Sequence, residues 1–133
     1  MTLAESLMLI SIPQAVYGLG LVLLFGLRGP SLVAWVLLAD FVAVLAIMGA
    51  MDFGLLVREP GHDEVTASVM VVWCVTAAIL APRPGLGRVL AMFNAAGVMV
   101  MIFGLFWGVQ VGTTSAIVNA IALFQLAVAG IGS

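Results

Sequence analysis

The sequence predicts an all-α integral membrane protein, a compact bundle of about five transmembrane helices joined by short loops. Three observations lead to this fold class. Of the 133 residues, 65% are hydrophobic and 8% are charged, whereas about a quarter of the residues in a soluble domain are charged. The mean hydropathy is +1.33. The apolar residues also form long uninterrupted stretches. A chain of this size could not enclose so much apolar surface in water.

The apolar stretches are predicted to be helices rather than strands of a barrel. Lipid offers no partners to backbone amides, so a spanning segment must be a helix or part of a closed barrel. Barrel strands alternate polar and apolar residues over about ten positions. The run Val-Met-Val-Met-Ile-Phe-Gly-Leu-Phe at 98–106 does not alternate. The sequence therefore favours helices throughout.

Five stretches make up one predicted transmembrane domain, residues 1–133. They lie near residues 7–27, 31–57, 65–81, 88–109 and 114–132. A helix needs roughly 20 residues to cross the hydrocarbon core. The third stretch has only 17 residues, which just reach across at about 1.5 Å per residue. Four crossings therefore remain an alternative to five.

The breaks between the stretches carry residues that end helices. The first three, at 28–30, 58–64 and 82–85, each combine proline, glycine and charge, and these residues break helices or seek water. The fourth, at 110–113, has neither charge nor proline. The first stretch is expected to be a retained helix, because the chain opens with Glu5 and lacks the basic region that begins a signal peptide.

Arginine positions predict the orientation in the membrane. With five crossings, Arg28, Arg83 and Arg88 fall on one side, and Arg58 falls on the other among three acidic residues. Short cytoplasmic loops are enriched in basic residues. We therefore expect the N-terminus outside and the C-terminus in the cytoplasm.

Small residues recur at helical spacing and predict close helix packing. Such residues let backbones approach each other where lipid supplies no hydrophobic force. Three stretches carry them: Ala39, Ala43, Ala46, Ala50 and Gly54 in the second; Gly97, Gly104 and Gly108 in the fourth; Ala116 and Ala120 in the fifth. Packing within the monomer is the preferred interpretation, and contact between copies in a homo-oligomer is the alternative.

Asp40 is the most informative polar residue. It lies about nine residues into the second stretch and hence near the midplane, where an ionised carboxylate costs at least ~2.5 kcal/mol. We expect it to face protein or water. It either makes a structural hydrogen bond to another helix or belongs to a path for an ion, proton or solute. Asp52 lies ~18 Å further along the helix and is interpreted as an interfacial acid near Arg58.

Four amides complete the candidate polar network. They are Gln14, Asn94, Asn119 and Gln125. Each amide needs a protein partner or a wet cavity at membrane depth, so we expect them to turn inward with Asp40. The alternative is that they only bond helices together, at ~0.6 kcal/mol each. Pro13 precedes Gln14, and proline-broken segments often border a site.

Other chemistries lack support in the sequence. Four basic residues against six acidic ones give no basic face for nucleic acid. Cys74 is the single cysteine, so a disulfide framework and a thiolate metal site are not expected. His62 stands beside acids without a second His or Cys at a ligand spacing, and a lone histidine cannot supply paired haem ligands. Asp63 and Glu64 are interpreted as acids at the N-terminus of the third helix. No metal site is predicted, and no cofactor is identified.

Three functional hypotheses follow. The first is a homo-oligomeric channel or transporter for an ion or small solute, with Asp40 and the amides lining a path. The second is an accessory or assembly subunit of a larger membrane complex, which the near absence of loops would suit. The third, an intramembrane enzyme acting on a lipid or terpenoid, has least support because no nucleophile and base accompany Asp40. The first is preferred, so an enzyme is not expected.

Overall fold

A computed structural model gives the fold and describes residues 3–59, 62–107 and 111–132, with side chains for 12–59, 62–106 and 114–132. Helices dominate these residues, so the all-α prediction is confirmed. The described part contains five helices: α1 (Leu3–Arg28), α2 (Leu32–Asp52), α3 (Glu64–Leu80), α4 (Leu86–Trp107) and α5 (Val111–Gly132). The side chain of Trp107 and all of Gly108 lie outside the described residues.

The predicted end of the second helix is wrong. The apolar stretch predicts a helix that reaches residue 57, but α2 stops at Asp52. Gly54 has a positive φ of 77°, and its N–H donates to the carbonyl of Met51 at 3.0 Å. The N–H of Leu55 donates to the carbonyl of Ala50 at 2.8 Å. This pair of bonds is a Schellman motif, so Gly54 ends the helix instead of continuing a packing stripe.

The connection between α2 and α3, predicted as a loop, contains a small hairpin. Strand β1 (Arg58–Glu59) pairs antiparallel with β2 (His62–Asp63). Asp63 then caps α3, because its carboxylate accepts the N–H of Thr66 at 2.9 Å and the hydroxyl of Thr66 at 2.6 Å. The predicted role of Asp63 at the N-terminus of α3 is confirmed.

The helices alternate in direction around a ring. Contacts join α1 to α2, α2 to α3, α3 to α4, α4 to α5, and α5 back to α1. One buried apolar cluster joins all five helices at a single end of the bundle. It unites the C-terminal halves of α1, α3 and α5 with the N-terminal halves of α2 and α4: Tyr17, Leu21, Leu24, Ala34, Leu37, Leu80, Leu90, Ala91, Leu126 and Ala129. We call this cluster the apolar plug.

Some of the predicted small residues face the interior of the bundle, and others face its outer surface. A Cβ on Gly97 would lie 2.0 Å from a ring carbon of Trp73, and a Cβ on Gly104 would lie 2.7 Å from the hydroxyl oxygen of Thr114. These two glycines therefore pack within the monomer, as preferred. By contrast, Ala39 and Ala46 of α2 are exposed. Their side chains contribute to the outer surface rather than to the interior of the bundle.

Helix length and composition indicate which helices could cross a membrane. Three helices in the described chain are long and apolar enough to span a bilayer: Leu32–Asp52, Leu86–Phe106 and Thr114–Gly132. Two shorter apolar helices accompany them, Ile12–Arg28 and Glu64–Leu80. The first of these two is part of α1, which has 26 residues as a whole.

Candidate functional site

A cavity of about 660 Å³ lies inside the bundle, and all five helices contribute to its wall. One face of α2 supplies Asp40, Val44, Met48 and Met51, because residues three and four apart share a helix face. The cavity extends from the level of Asp40 toward the hairpin. Its position is therefore opposite the apolar plug, in the other half of the molecule.

The part of the cavity wall that reaches the surface lies on α1 and α5. Among the described lining residues four are exposed, and they belong to these two helices: Ile12, Val16, Ala116 and Ala120. At the plug end the same two helices touch, since the Arg28 Nε donates to the carbonyl of Gly130 at 2.9 Å. The helices thus meet at one end, and at the other the cavity lies between them with exposed apolar residues at its edge, which form a mouth along the side of the bundle.

Asp40 forms the inner end of the cavity. It is buried, with 7% of its surface exposed, and the side chain of Thr76 on α3 lies beside it. The Thr76 hydroxyl donates to the carbonyl of Val72 at 3.0 Å. Tyr17 lines the cavity close to Asp40, and its ring stacks on Phe41 with centroids 5.2 Å apart. Asp40 is therefore buried against neighbouring helices and borders the cavity.

Two of the predicted amides form a network that joins three helices. The Gln125 Nε2 donates to the carbonyl of Leu90 at 2.9 Å and to the Asn94 Oδ1 at 2.6 Å. The Asn94 Nδ2 approaches the carbonyl of Trp73 at 3.4 Å. Gln125 also lines the cavity. Asn94 therefore bonds helices together in the interior. Gln125 bonds helices together and also lines the cavity.

Of the three remaining candidate residues, two line the cavity and one, Asp52, does not. Gln14 and Asn119 line the cavity together with Pro13, and both are half-buried. The Gln14 Oε1 is buried and has no hydrogen-bond partner among the described residues. Asp52 is exposed and lies outside the cavity wall. The structure therefore brings Asp40, Gln14, Asn119 and Gln125 to one cavity and leaves Asp52 apart.

Arg58 is a cavity residue that sequence reasoning does not single out. It projects from β1 and its guanidinium donates to the hydroxyl of Ser115 in α5. Its Nε is buried without a partner in the described part of the chain. The hydrogen bond ties the hairpin to the outer end of the cavity. The sequence shows an arginine within an acidic connection. Its contact with α5 depends on the hairpin, which the sequence does not predict.

Few charged side chains accompany Asp40 at the inner end of the cavity. Among the described residues, the one ion pair joins the His62 Nε2 to the Glu64 Oε1 at 2.9 Å, and both side chains are exposed. No arginine or histidine of the described chain pairs with Asp40. Nor do the described residues contain a group of three or more His, Cys, Asp and Glu side chains that could hold a metal ion. The cavity offers one buried acid, several amides and hydroxyls, and an arginine at its outer end.

The apolar plug closes the bundle beyond Asp40. Ala34, Leu37, Leu80, Leu90 and Ala129 have no exposed surface. They separate the cavity from the end of the molecule that carries Arg28. In the described part of the chain, the cavity is therefore a chamber closed at the plug end.

Comparison with protein-family models, curated proteins and solved structures gives no match. The geometry of the cavity is consequently the basis for a functional proposal. A chamber of this volume, mainly apolar with a few convergent polar groups, has the form of a small-molecule binding site.

Proposed function

We propose that this protein is a multi-pass membrane protein that moves a small solute, with the cavity as its binding chamber and Asp40 at the inner end. The observation that carries the proposal is the chamber itself. It lies among all five helices, opens at one end and stops at a buried acid and an apolar plug. Intramembrane acids typically mark paths for ions, protons or solutes.

The outer surface of the bundle supports a membrane environment. Large apolar side chains are exposed on every helix, among them Leu27 at 79%, Phe106 at 79%, Phe124 at 66% and Ile131 at 81%. Soluble monomers rarely expose contiguous apolar patches of such extent. Lipid would cover these side chains at no cost. We propose that α1 and α3 cross as well, because five alternating helices pack as one ring.

The proposed orientation places the plug at the cytoplasmic side. Arg28 follows the plug end of α1, and Arg83 and Arg88 flank the start of α4 at the same end. The acidic hairpin lies at the other end. Basic residues favour the cytoplasm, so the cavity would open toward the outside and the outer leaflet. The N-terminus would then be outside and the C-terminus inside.

Transport needs a second arrangement of the bundle. With the plug packed, a solute can reach Asp40 from one side only. Movement across the membrane would require the plug to loosen while the mouth between α1 and α5 narrows, which is alternating access around a fixed midplane site. Asp40 would stay at the site in both arrangements.

We also propose a homo-oligomer. Ala39 and Ala46 face outward on α2, and small residues on an outer face favour close contact with another helix. A second copy of this chain is the partner that a homo-oligomer requires. If tagged and untagged copies from one membrane never co-purify in mild detergent, the proposal fails.

The transport proposal is tested by solute flux in proteoliposomes. Wild-type protein should conduct at least one cation or small solute in a panel, and Asp40→Asn should lower that flux at least about tenfold, equivalent to ~1.4 kcal/mol. Asp52→Asn removes the same charge from an exposed site on the same helix and should leave the flux unchanged. Equal flux in wild type and Asp40→Asn for every member of the panel would contradict the proposal.

A further inference from the structure

The cavity selects among solutes through three features of its wall. Its mouth has apolar edges, Ile12 and Val16 on α1 and the alanines of α5. Its interior is largely apolar. Its inner end holds a buried carboxyl group with no basic partner among the described residues. Together these features define the shape and charge of a ligand.

The mouth faces the side of the bundle. The exposed lining residues among those described belong to α1 and α5, and the cavity lies between these helices at this end. Their side chains are apolar or small, so lipid would border the opening if the bundle spans a membrane. A ligand can enter here from the outer leaflet, which concentrates amphipathic molecules, or from the water at the hairpin end, where Arg58 lines the chamber. The mouth therefore favours a molecule with a substantial apolar body.

Aromatic rings stand close to the acid. Tyr17 and Phe41 form a stacked pair beside Asp40, and Trp73 of α3 lines the same chamber. Ring faces attract cations, and the attraction is stronger where water is excluded. An acid beside aromatic faces is a setting for a positive charge on an organic group.

Asp40 has no counter-charge among the described residues. Arg58 lies at the outer end of the chamber and is bonded to Ser115. Arg28 is bonded to the carbonyl of Gly130 beyond the plug. A bound cation would give the ionised carboxylate the opposite charge that it lacks, and burial makes that pairing strong when it forms.

We propose that the chamber binds amphipathic organic cations, molecules whose apolar body occupies the cavity while the cationic centre pairs with Asp40 beside Tyr17 and Phe41. The inference rests on the proposed function because it uses the same chamber. It adds the class of solute. A chamber of about 660 Å³ is within the range that holds drug-sized ligands.

Two probes of matched shape and opposite charge test the inference. Tetraphenylphosphonium and tetraphenylborate are both rigid, lipophilic and nearly equal in size. Binding of each is measured separately by titration calorimetry on purified full-length protein in detergent, with the empty micelle as blank. We expect wild-type protein to bind the cation at least about tenfold more tightly than the anion, because Asp40 lies at the inner end of the chamber whereas Arg58 is bonded to Ser115 at the outer end.

Substitutions at Asp40 assign the charge preference to this residue. Asp40→Asn should weaken binding of the phosphonium at least about tenfold. Asp40→Glu keeps the charge and should retain most of the affinity, and Asp52→Asn should bind as wild type does. Equal affinity of wild type for the two probes would overturn the inference, even if Asp40→Asn failed to fold. Unchanged phosphonium affinity in a folded Asp40→Asn would overturn it as well.

The outcome separates the ligand class from transport. Selective, Asp40-dependent phosphonium binding without flux of any solute would support the ligand class and contradict transport. Asp40-dependent flux of another solute, with no phosphonium preference, would contradict the ligand class and support transport.

Discussion

Asp40 illustrates how much the sequence determines about a single residue. An acid in the middle of an apolar stretch must face protein or water, because lipid cannot solvate it. The structure places it against Thr76 and the cavity. Its helix and depth follow from the sequence, since apolar length fixes both. Its partner does not, because several polar residues on other helices could have met it.

Arg58 shows the opposite case. Its interaction with Ser115 joins positions 57 residues apart. It depends on a hairpin whose two strands have two residues each. Nothing in the local pattern distinguishes Arg58 from a solvated loop charge. Long-range polar contacts of this kind depend on the relative placement of helices, which local periodicity does not encode.

The bond between Gln125 and Asn94 allows a test at the scale of single residues. Gln125→Leu should lower the free energy of unfolding by about 1 to 3 kcal/mol, because it leaves the buried Asn94 Oδ1 without its donor. Asn94→Leu should have a similar effect. The unfolding free energies are measured in mixed micelles at increasing denaturing detergent.

The double variant is the control for that pair. Replacing both amides removes the unsatisfied group, so its destabilisation should be smaller than the sum of the two single effects. Additive effects would mean that the two amides contribute independently.

At the scale of helices, apolar length and helix-breaking residues predict five elements, and five are present in the described chain. The error at the end of α2 has a clear origin. Gly54 continues the helical spacing of the alanines and also suits the left-handed position that ends a helix. Spacing alone could not choose between these roles. The hydrogen bonds of Leu55 and Gly54 decide it.

The outer face of α2 provides the prediction at this scale. Ala39→Leu with Ala46→Leu should abolish co-purification of tagged and untagged copies, because the larger side chains keep two helix backbones apart. Ala67→Leu with Ala78→Leu makes the same change at exposed sites of α3 and should leave co-purification intact. Loss of co-purification in both pairs, or in neither, would contradict assembly through α2.

The whole molecule has two unlike halves that the sequence does not predict. Tightly packed side chains from all five helices form the plug, whereas the other half encloses the chamber. Both halves are built from the same five apolar helices, so apolar length alone does not separate them. The difference arises between α1 and α5, which meet near Gly20 and Leu126 and both line the cavity nearer the hairpin end. Such geometry depends on packing between distant segments.

The central claim is that a membrane-spanning bundle holds a chamber open to one side and sealed by the plug. Cysteine accessibility tests it most directly. In a Cys74→Ser background, Asn119→Cys places a thiol in the chamber wall and Ala34→Cys places one in the plug. Each is exposed to a charged, membrane-impermeant thiol reagent in intact cells and in inside-out vesicles. We predict that Asn119→Cys reacts from the outside alone and that Ala34→Cys reacts from neither side. Equal reaction of Asn119→Cys from both sides, or from neither, would contradict the claim.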